Sequence, residues 1–404
     1  MTEIGNSPAL PASPLRHGVG LASEWYARRE LPMLALLAIG AFLINLGRGF
    51  EENEYITNWV CTMDRNTLIQ NRFNAGHFPY WFLWMQFWTT HLGDSEIIYR
   101  LPSVAAVVAA VFAFRATVRE LFDLDRARLA ALIFTIHQLT IWCAQTARPW
   151  SGILLCGALL TWGVMRWIHS RDWRWLILIA AATFVGYAHH PNFVFGVAAI
   201  AFPLLYLAVR RCAVGITPLA AMLFSILMQS HATVVLAGKQ DDIVVTHEFH
   251  FRLKQGLNAA SQLWFGDWKL WTEDWAKYTA LLLIILASVA FWRATRSASS
   301  FHSAGLQNQP LNQCPLPPRH WSAFQRIFVL SWIWTPWTII LIIASGYAHH
   351  PMLSQIRYQT LAIGGIATLL AVAIAWWLQE TGASGRKWRL IPLGAVCFLL
   401  LANT

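Results

Sequence analysis

Charge is what this 404-residue chain has least of. Lys, Arg, Asp and Glu make up 12% of it, against about 25% in an ordinary soluble domain. So few charges cannot clothe a soluble surface of this size. The 56% hydrophobic content equally excludes a disordered chain. Acidic residues are the scarcer sign, 20 against 30 Lys and Arg, which leaves a net charge of +10. That excess is too sparse, and too interrupted by apolar runs, for a nucleic-acid surface. Cysteine is also sparse: six residues, none in a CxxC pair, so there is no zinc-ligand spacing and no disulfide framework. No Gly-rich phosphate loop, GxSxG or HExxH occurs.

What the chain does have is apolar length. A membrane span needs about 20 mostly apolar residues. Runs of that kind lie at about 31–46, 101–118, 128–145, 150–167, 174–188, 192–209, 213–230, 278–294, 326–345, 359–378 and 390–402, eleven in all. The expected fold class is therefore an all-α polytopic membrane protein. Residues 1–30 form an N-terminal cytoplasmic tail, and 31–404 a multi-pass membrane domain. The first run reads as an uncleaved anchor, because Arg48, Glu51 and Glu52 follow it instead of a small-residue cleavage site. Pro79–Leu92 is about fourteen residues long and carries Trp81, Trp84 and Trp88 at i, i+3 and i+7, on one helical face. Its length favours an interfacial helix over a short tilted span, and Trp prefers the headgroup level.

With the N-terminus in the cytoplasm, 19 of the 30 basic residues fall on the cytoplasmic side, as the positive-inside rule asks. The cytoplasmic side then carries +11 and the outer side −1, so the excess is an orientation signal. Two outer loops are large, 49–100 and 231–277. A Ser- and Pro-rich linker, 295–323, lies inside. The hexapeptide Gly-Tyr-Ala-His-His-Pro occurs twice, at 186–191 and 346–351, both at outer ends of spans.

Ionisable groups at a membrane edge are costly, so they are functional candidates. Glu51, Glu52 and Glu54 follow the first span within one helical turn. They are suited to general-base work; the plainer alternative is a solvated acidic loop. Arg100, Arg148 and Arg357 each stand at an outer helix end. Arginine's planar fork suits phosphate, though any one arginine there also fits simple snorkelling. Three at one level, beside the carboxylates, point to a site for an anionic lipid headgroup. His189, His190, His349 and His350 offer substrate hydrogen bonds more readily than a metal site, since adjacent histidines diverge on a helix. No metal or other cofactor is expected.

Several motifs in this order resemble a known family. They are Glu51-Glu52-Asn53-Glu54-Tyr55 after the first span; His77-Phe78-Pro79 before an aromatic helix; Gly93-Asp94-Ser95-Glu96 running into Arg100-Leu101-Pro102-Ser103; Gln145-x-x-Arg148-Pro149-Trp150; and Arg357-Tyr358 before a late span. Together they resemble the GT-C glycosyltransferases, in the branch of protein O-mannosyltransferases and the bacterial lipid A aminoarabinose transferase (glycosyltransferase family 39-like). The resemblance implies transfer of a sugar, with inversion, from a polyprenyl-phosphate donor to an acceptor hydroxyl outside the cytoplasm. It places the base at Glu51, with Glu52 beside it, where the family usually has Asp. It implies substrate-binding roles for Glu54, Tyr55, His77, Arg100, Gln145, Arg148, Arg357 and Tyr358, to which the residue chemistry adds Lys239 as a cation for the phosphate and His189 and His349 as substrate hydrogen-bonding groups. The expected partners are the lipid-linked donor, a lipid, glycan or protein acceptor and membrane lipids, with no nucleic acid, in a bacterial inner membrane. The competing classes are a lipid flippase or transporter, which would favour duplicated halves and midplane charges, and an inactive scaffold of the same fold.

Overall fold

The structure, a computed structural model, describes residues 14–75, 77–229, 282–296, 318–346 and 360–380. Among these residues there are helices and connecting loops but no strand. In order they are α1 (Pro14–Leu43), α2 (Glu52–Cys61), α3 (Arg65–Asn74), α4 (Tyr80–Leu92), α5 (Glu96–Leu121), α6 (Leu124–Ile136), α7 (Gln138–Ala144), α8 (Trp150–Ser170), α9 (Arg174–His189) and α10 (Phe193–Leu227). Then come α11 (282–296), α12 (Pro318–Gly346) and α13 (Ile363–Glu380). Ten of the eleven expected runs coincide with helices; the eleventh, 390–402, lies outside the described residues.

Four described segments are long and apolar enough to cross a bilayer: Glu96–Leu121, Trp150–Ser170, Phe193–Arg210 and Thr360–Leu378. The pair α6 and α7 supplies a fifth if its 63° bend is counted within one span. The bend centres on His137, whose backbone is extended (φ −66°, ψ 125°) and whose Nδ1 accepts the Leu139 N–H at 3.2 Å. A histidine that caps a new helix explains an ionisable residue buried among apolar neighbours.

α10 is helical throughout but folds back on itself. A Cβ on Gly215 would lie 2.1 Å from the Leu204 carbonyl oxygen and 2.5 Å from the Ala208 nitrogen. Residues eleven apart lie about 16 Å apart along a straight helix, so Phe193–Arg210 and Val214–Leu227 are two limbs of a hairpin. Glycine permits that approach because nothing projects from its Cα. The second limb lies along α9: Ser225 Oγ donates to Ala180 O at 3.0 Å and Gln229 Nε2 to Phe184 O at 2.8 Å.

α5 and α8 pack against each other, with α6 on α5 and α9 on α8; α10 joins α9 to α12, and α13 lies against α6 and α12. The interior is built from rings such as Phe114, stacked on Phe134 at 4.5 Å and meeting Trp332 edge-on at 5.9 Å. Large apolar side chains are equally common on the outside of α1, α9 and α10, including Leu36, Ile177, Phe184, Phe202 and Phe224. A soluble monomer does not expose such faces. In lipid they are the expected surface, because tails are as apolar as the core.

The first outer loop folds into α2, α3 and α4. α4 is thirteen residues long, with Trp81, Phe82 and Met85 buried and Tyr80, Trp84 and Phe87 exposed. Trp84 and Phe87 stack at 5.9 Å on that open face. The three tryptophans expected on one face are thus divided: Trp81 faces the protein and Trp84 faces out. α1 also starts earlier than the expected first span, at Pro14. At the end opposite α2–α4, Glu30 on α1 is buried with Arg115 of α5 and Arg128 of α6.

Candidate active site

The site is organised around one arginine. Arg100 sits in the first turns of α5, whose N-terminus is capped by Ser95. Its side chain is fully buried, and all five of its N–H groups are engaged. Nε and Nη2 grip the Glu54 carboxylate at 2.9 and 2.6 Å. Nη1 donates to the carbonyls of Leu46 and Arg48, at 2.7 and 2.6 Å, and Nη2 also to Gly49, at 3.0 Å. One guanidinium therefore fixes both the turn after α1 and the first turn of α2. A planar fork makes such multiple contacts where an ammonium would not.

Glu54 closes the arrangement. Its carboxylate also accepts the Ala147 N–H at 2.8 Å and the Glu51 N–H at 3.0 Å. Burial by itself would raise its pKa. The Arg100 hydrogen bonds, with those two backbone donors, more than offset this and hold the carboxyl below the usual carboxylate range. Ser103, three residues after Arg100, donates to Thr146 O at 2.7 Å and accepts from Ser151 at 3.1 Å. The Arg100-Leu101-Pro102-Ser103 motif thus ties the 46–54 segment to the 145–151 segment.

Glu51 has different surroundings. It is the N-cap residue of α2 (φ −72°, ψ 158°) and its side chain is 38% exposed. Its Oε1 lies 2.6 Å from Nη2 of Arg48. Glu52 is the first residue of α2, and its side chain lies outside the described residues. Tyr55 points outward, 60% exposed, its ring edge-on to Phe50 at 5.8 Å. Of the acidic residues whose side chains are described here, then, one is locked and one is presented.

Gln145 is buried and donates to Ile44 O at 2.7 Å, satisfying a carbonyl just past the end of α1. Arg148 donates to the Asn53 carbonyl at 3.0 Å, which brings its guanidinium to the first turn of α2. His77 lies 5.7 Å from His190, ring to ring, and His190 lies 5.0 Å from Trp150. His189 packs on Trp81 at 5.5 Å and against Gly152, where a Cβ would meet its ring at 2.3 Å. The paired histidines therefore diverge as adjacent residues should, and the two rings sit in different contacts. Among the described residues no group of three or more His, Cys, Asp or Glu is placed to hold a metal ion. Lys239, His349, Arg357 and Tyr358 lie outside the described residues.

Sequence reasoning named Arg48 only as a residue following the first span, and not as a site residue. For Arg48 a signal existed: it is a basic residue three positions before the carboxylate it meets, a spacing that brings side chains together on a helical turn.

Comparison with known proteins agrees with this architecture. The family model described as dolichyl-phosphate-mannose-protein mannosyltransferase matches residues 77–234. No curated protein sequence matches the chain. Among solved structures, ArnT from Cupriavidus metallidurans, bound to undecaprenyl phosphate, superposes with a TM-score of 0.55 at 12% identity over 93% of this chain. The Archaeoglobus fulgidus oligosaccharyltransferase, tethered to an acceptor peptide, gives 0.51 at 11% identity over 94%. The archaeal oligosaccharyltransferase AglB, in complex with an inhibitory peptide and a dolichol-phosphate, gives 0.50 at 10% over 94%. The chain spans 64% of the first of these structures and 55% of the other two. It has the GT-C glycosyltransferase fold, and over residues 77–234 it is similar to the dolichyl-phosphate-mannose-protein mannosyltransferases.

Proposed function

We propose that this chain transfers a sugar from a polyprenyl-phosphate donor to an acceptor hydroxyl, with Glu51 as the general base. The observation that carries the reading is the contrast between two carboxylates. Glu54 has every contact filled by Arg100 and two backbone N–H groups. Glu51, one helical turn away, shares a capping box with Glu54 and meets Arg48 at one oxygen, yet its side chain is 38% exposed on the same loop. A base must reach its substrate's proton, so geometry favours Glu51. Arg100 and Glu54 then act by positioning it.

In the proposed step the acceptor oxygen attacks the anomeric carbon while Glu51 takes the hydroxyl proton. The bond from that carbon to the phosphate oxygen breaks on the opposite face, and the electron pair leaves with the lipid phosphate. The anomeric centre inverts. Developing charge on the phosphate needs nearby cations, and Arg148 stands beside the first turn of α2. The charge bias supports placing the reaction on the outer face of the membrane, which in a bacterial inner membrane is the periplasmic face. The fold shared with ArnT and AglB, which carry undecaprenyl phosphate and dolichol-phosphate in their structures, supports a lipid-linked donor.

The test is transfer of radiolabelled sugar from undecaprenyl-phosphate donors in proteoliposomes holding the full chain. Glu51→Gln should lower turnover by about 10²–10⁴-fold, the usual worth of a general base. Wild-type activity in that variant removes Glu51 from the role. Lipid scrambling without transfer by the wild type would establish a flippase instead.

A further inference from the structure

We infer that Arg48 is a mobile cation that leaves Glu51 for the lipid phosphate when the donor binds, freeing the carboxylate as it does so. This rests on the transfer reading above and adds a residue that the sequence did not single out. The ion pair joins Nη2 of Arg48 to Oε1 of Glu51 at 2.6 Å, with both side chains about one-third exposed. In that contact the guanidinium covers one side of the carboxylate, at Oε1. The pair is therefore a resting arrangement, and drawing Arg48 away opens that side of Glu51 to the acceptor.

The surroundings show how it can move. Its backbone is fixed: the Arg48 N–H donates to Asn45 O at 3.1 Å, and its carbonyl accepts from Arg100 at 2.6 Å. Its side chain is not fixed in the same way. Nε is closed off from solvent and has no hydrogen-bond partner among the described residues. A guanidinium with an unanswered donor and one exposed ion pair gains more from a phosphate, which accepts two parallel bonds, than it loses with Glu51. Arg100 cannot take this part because its five N–H groups are already engaged. Arg72 is bonded to Asn71 and lies over the Phe82 ring at 4.9 Å.

The inference makes an asymmetric prediction about binding of undecaprenyl phosphate, without sugar, to the full chain in nanodiscs. Arg48→Ala should weaken binding about tenfold or more, the loss of a charged hydrogen bond. Glu51→Gln should tighten it roughly two- to fivefold, because the competing carboxylate is gone. The double variant should match Arg48→Ala. A residue that merely supports the fold gives no reason for Glu51→Gln to tighten binding. Unchanged affinity in both single variants overturns the inference. So does equal Arg48 dependence for phosphatidic acid or inorganic phosphate, which would make Arg48 a general anion contact. Should Arg48→Ala fail to fold, Glu51→Gln alone decides, since its side chain is partly solvent-exposed. The two readings fail separately. Active transfer with a flat binding series overturns only the role of Arg48. The expected binding series without any transfer overturns only the enzyme. A wild type that binds no undecaprenyl phosphate overturns both.

Discussion

Arg100→Ala is the most severe single change this site offers. It strands the Glu54 carboxylate, which is fully buried, without its cation. It also leaves the carbonyls of Leu46, Arg48 and Gly49 without the donor that satisfies them. Breaking a buried ion pair by removing one partner costs about 3–5 kcal/mol. Because neither side chain has any exposure, solvent screening does not reduce that cost. The loss should be local first. Hydrogen exchange should speed up at the Glu51 and Ala147 amides, which both donate to Glu54. Sugar transfer should fall with it, because the segment that presents Glu51 is no longer held. Arg100→Lys should recover little, since an ammonium cannot reach two carboxylate oxygens and three carbonyls at once. The clamp also has a defined pH response. The Glu54 pKa is depressed in the folded chain, so its stabilisation is complete above the unfolded value of about 4.3. It is lost only as pH falls through the lower, folded value. Amide protection should therefore be flat through neutral pH and collapse in acid. Unchanged exchange at Glu51 and Ala147 in Arg100→Ala would refute the whole positional argument.

Other outcomes follow from single contacts. Arg148→Ala should raise the donor KM in the transfer assay, since its guanidinium lies against the Asn53 carbonyl beside the proposed phosphate position; an unchanged KM removes it from the site. Gly215→Ala should cost about 1–3 kcal/mol, the usual range for overpacking, or prevent folding. The added carbon meets backbone, which cannot rotate away. Thermal unfolding in detergent checks it, and a neutral effect would mean that the hairpin of α10 opens at that point.

Much of the helical layout was legible in the sequence because a bilayer imposes a length. Runs near 20 residues stand out whatever their neighbours are, and ten of them became helices. The hairpin within α10 was legible too, from the arginines at 210 and 211 between two apolar runs. The reading was blunter where identity alone cannot report partnership. Arg100, Gln145 and Glu54 were expected against substrate. Each is buried and bonded to the protein, Arg100 through every donor it has. Spacing carries no record of this, because Arg100 and Glu54 are 46 residues apart. The basic bias at the opposite end was likewise read as a net orientation signal. Part of it is answered locally: Glu30 pairs with Arg115 and Arg128, and Glu120 lies against Arg166 and His169.

The sequence by itself determined that this is a helical membrane chain with carboxylates and arginines gathered at one membrane edge. Composition and run length fix such properties through the cost of placing charge in hydrocarbon. Only the tertiary structure decided which carboxylate is available. Glu51 and Glu54 are three residues apart and chemically identical; the family resemblance points to Glu51 as the base, but spacing and residue type do not separate the two. Folding brings Arg100 and the Ala147 N–H onto one of them and leaves the other at the surface beside Arg48. A carboxylate's chemistry depends on which donors surround it, and those donors come from parts of the chain far apart in sequence.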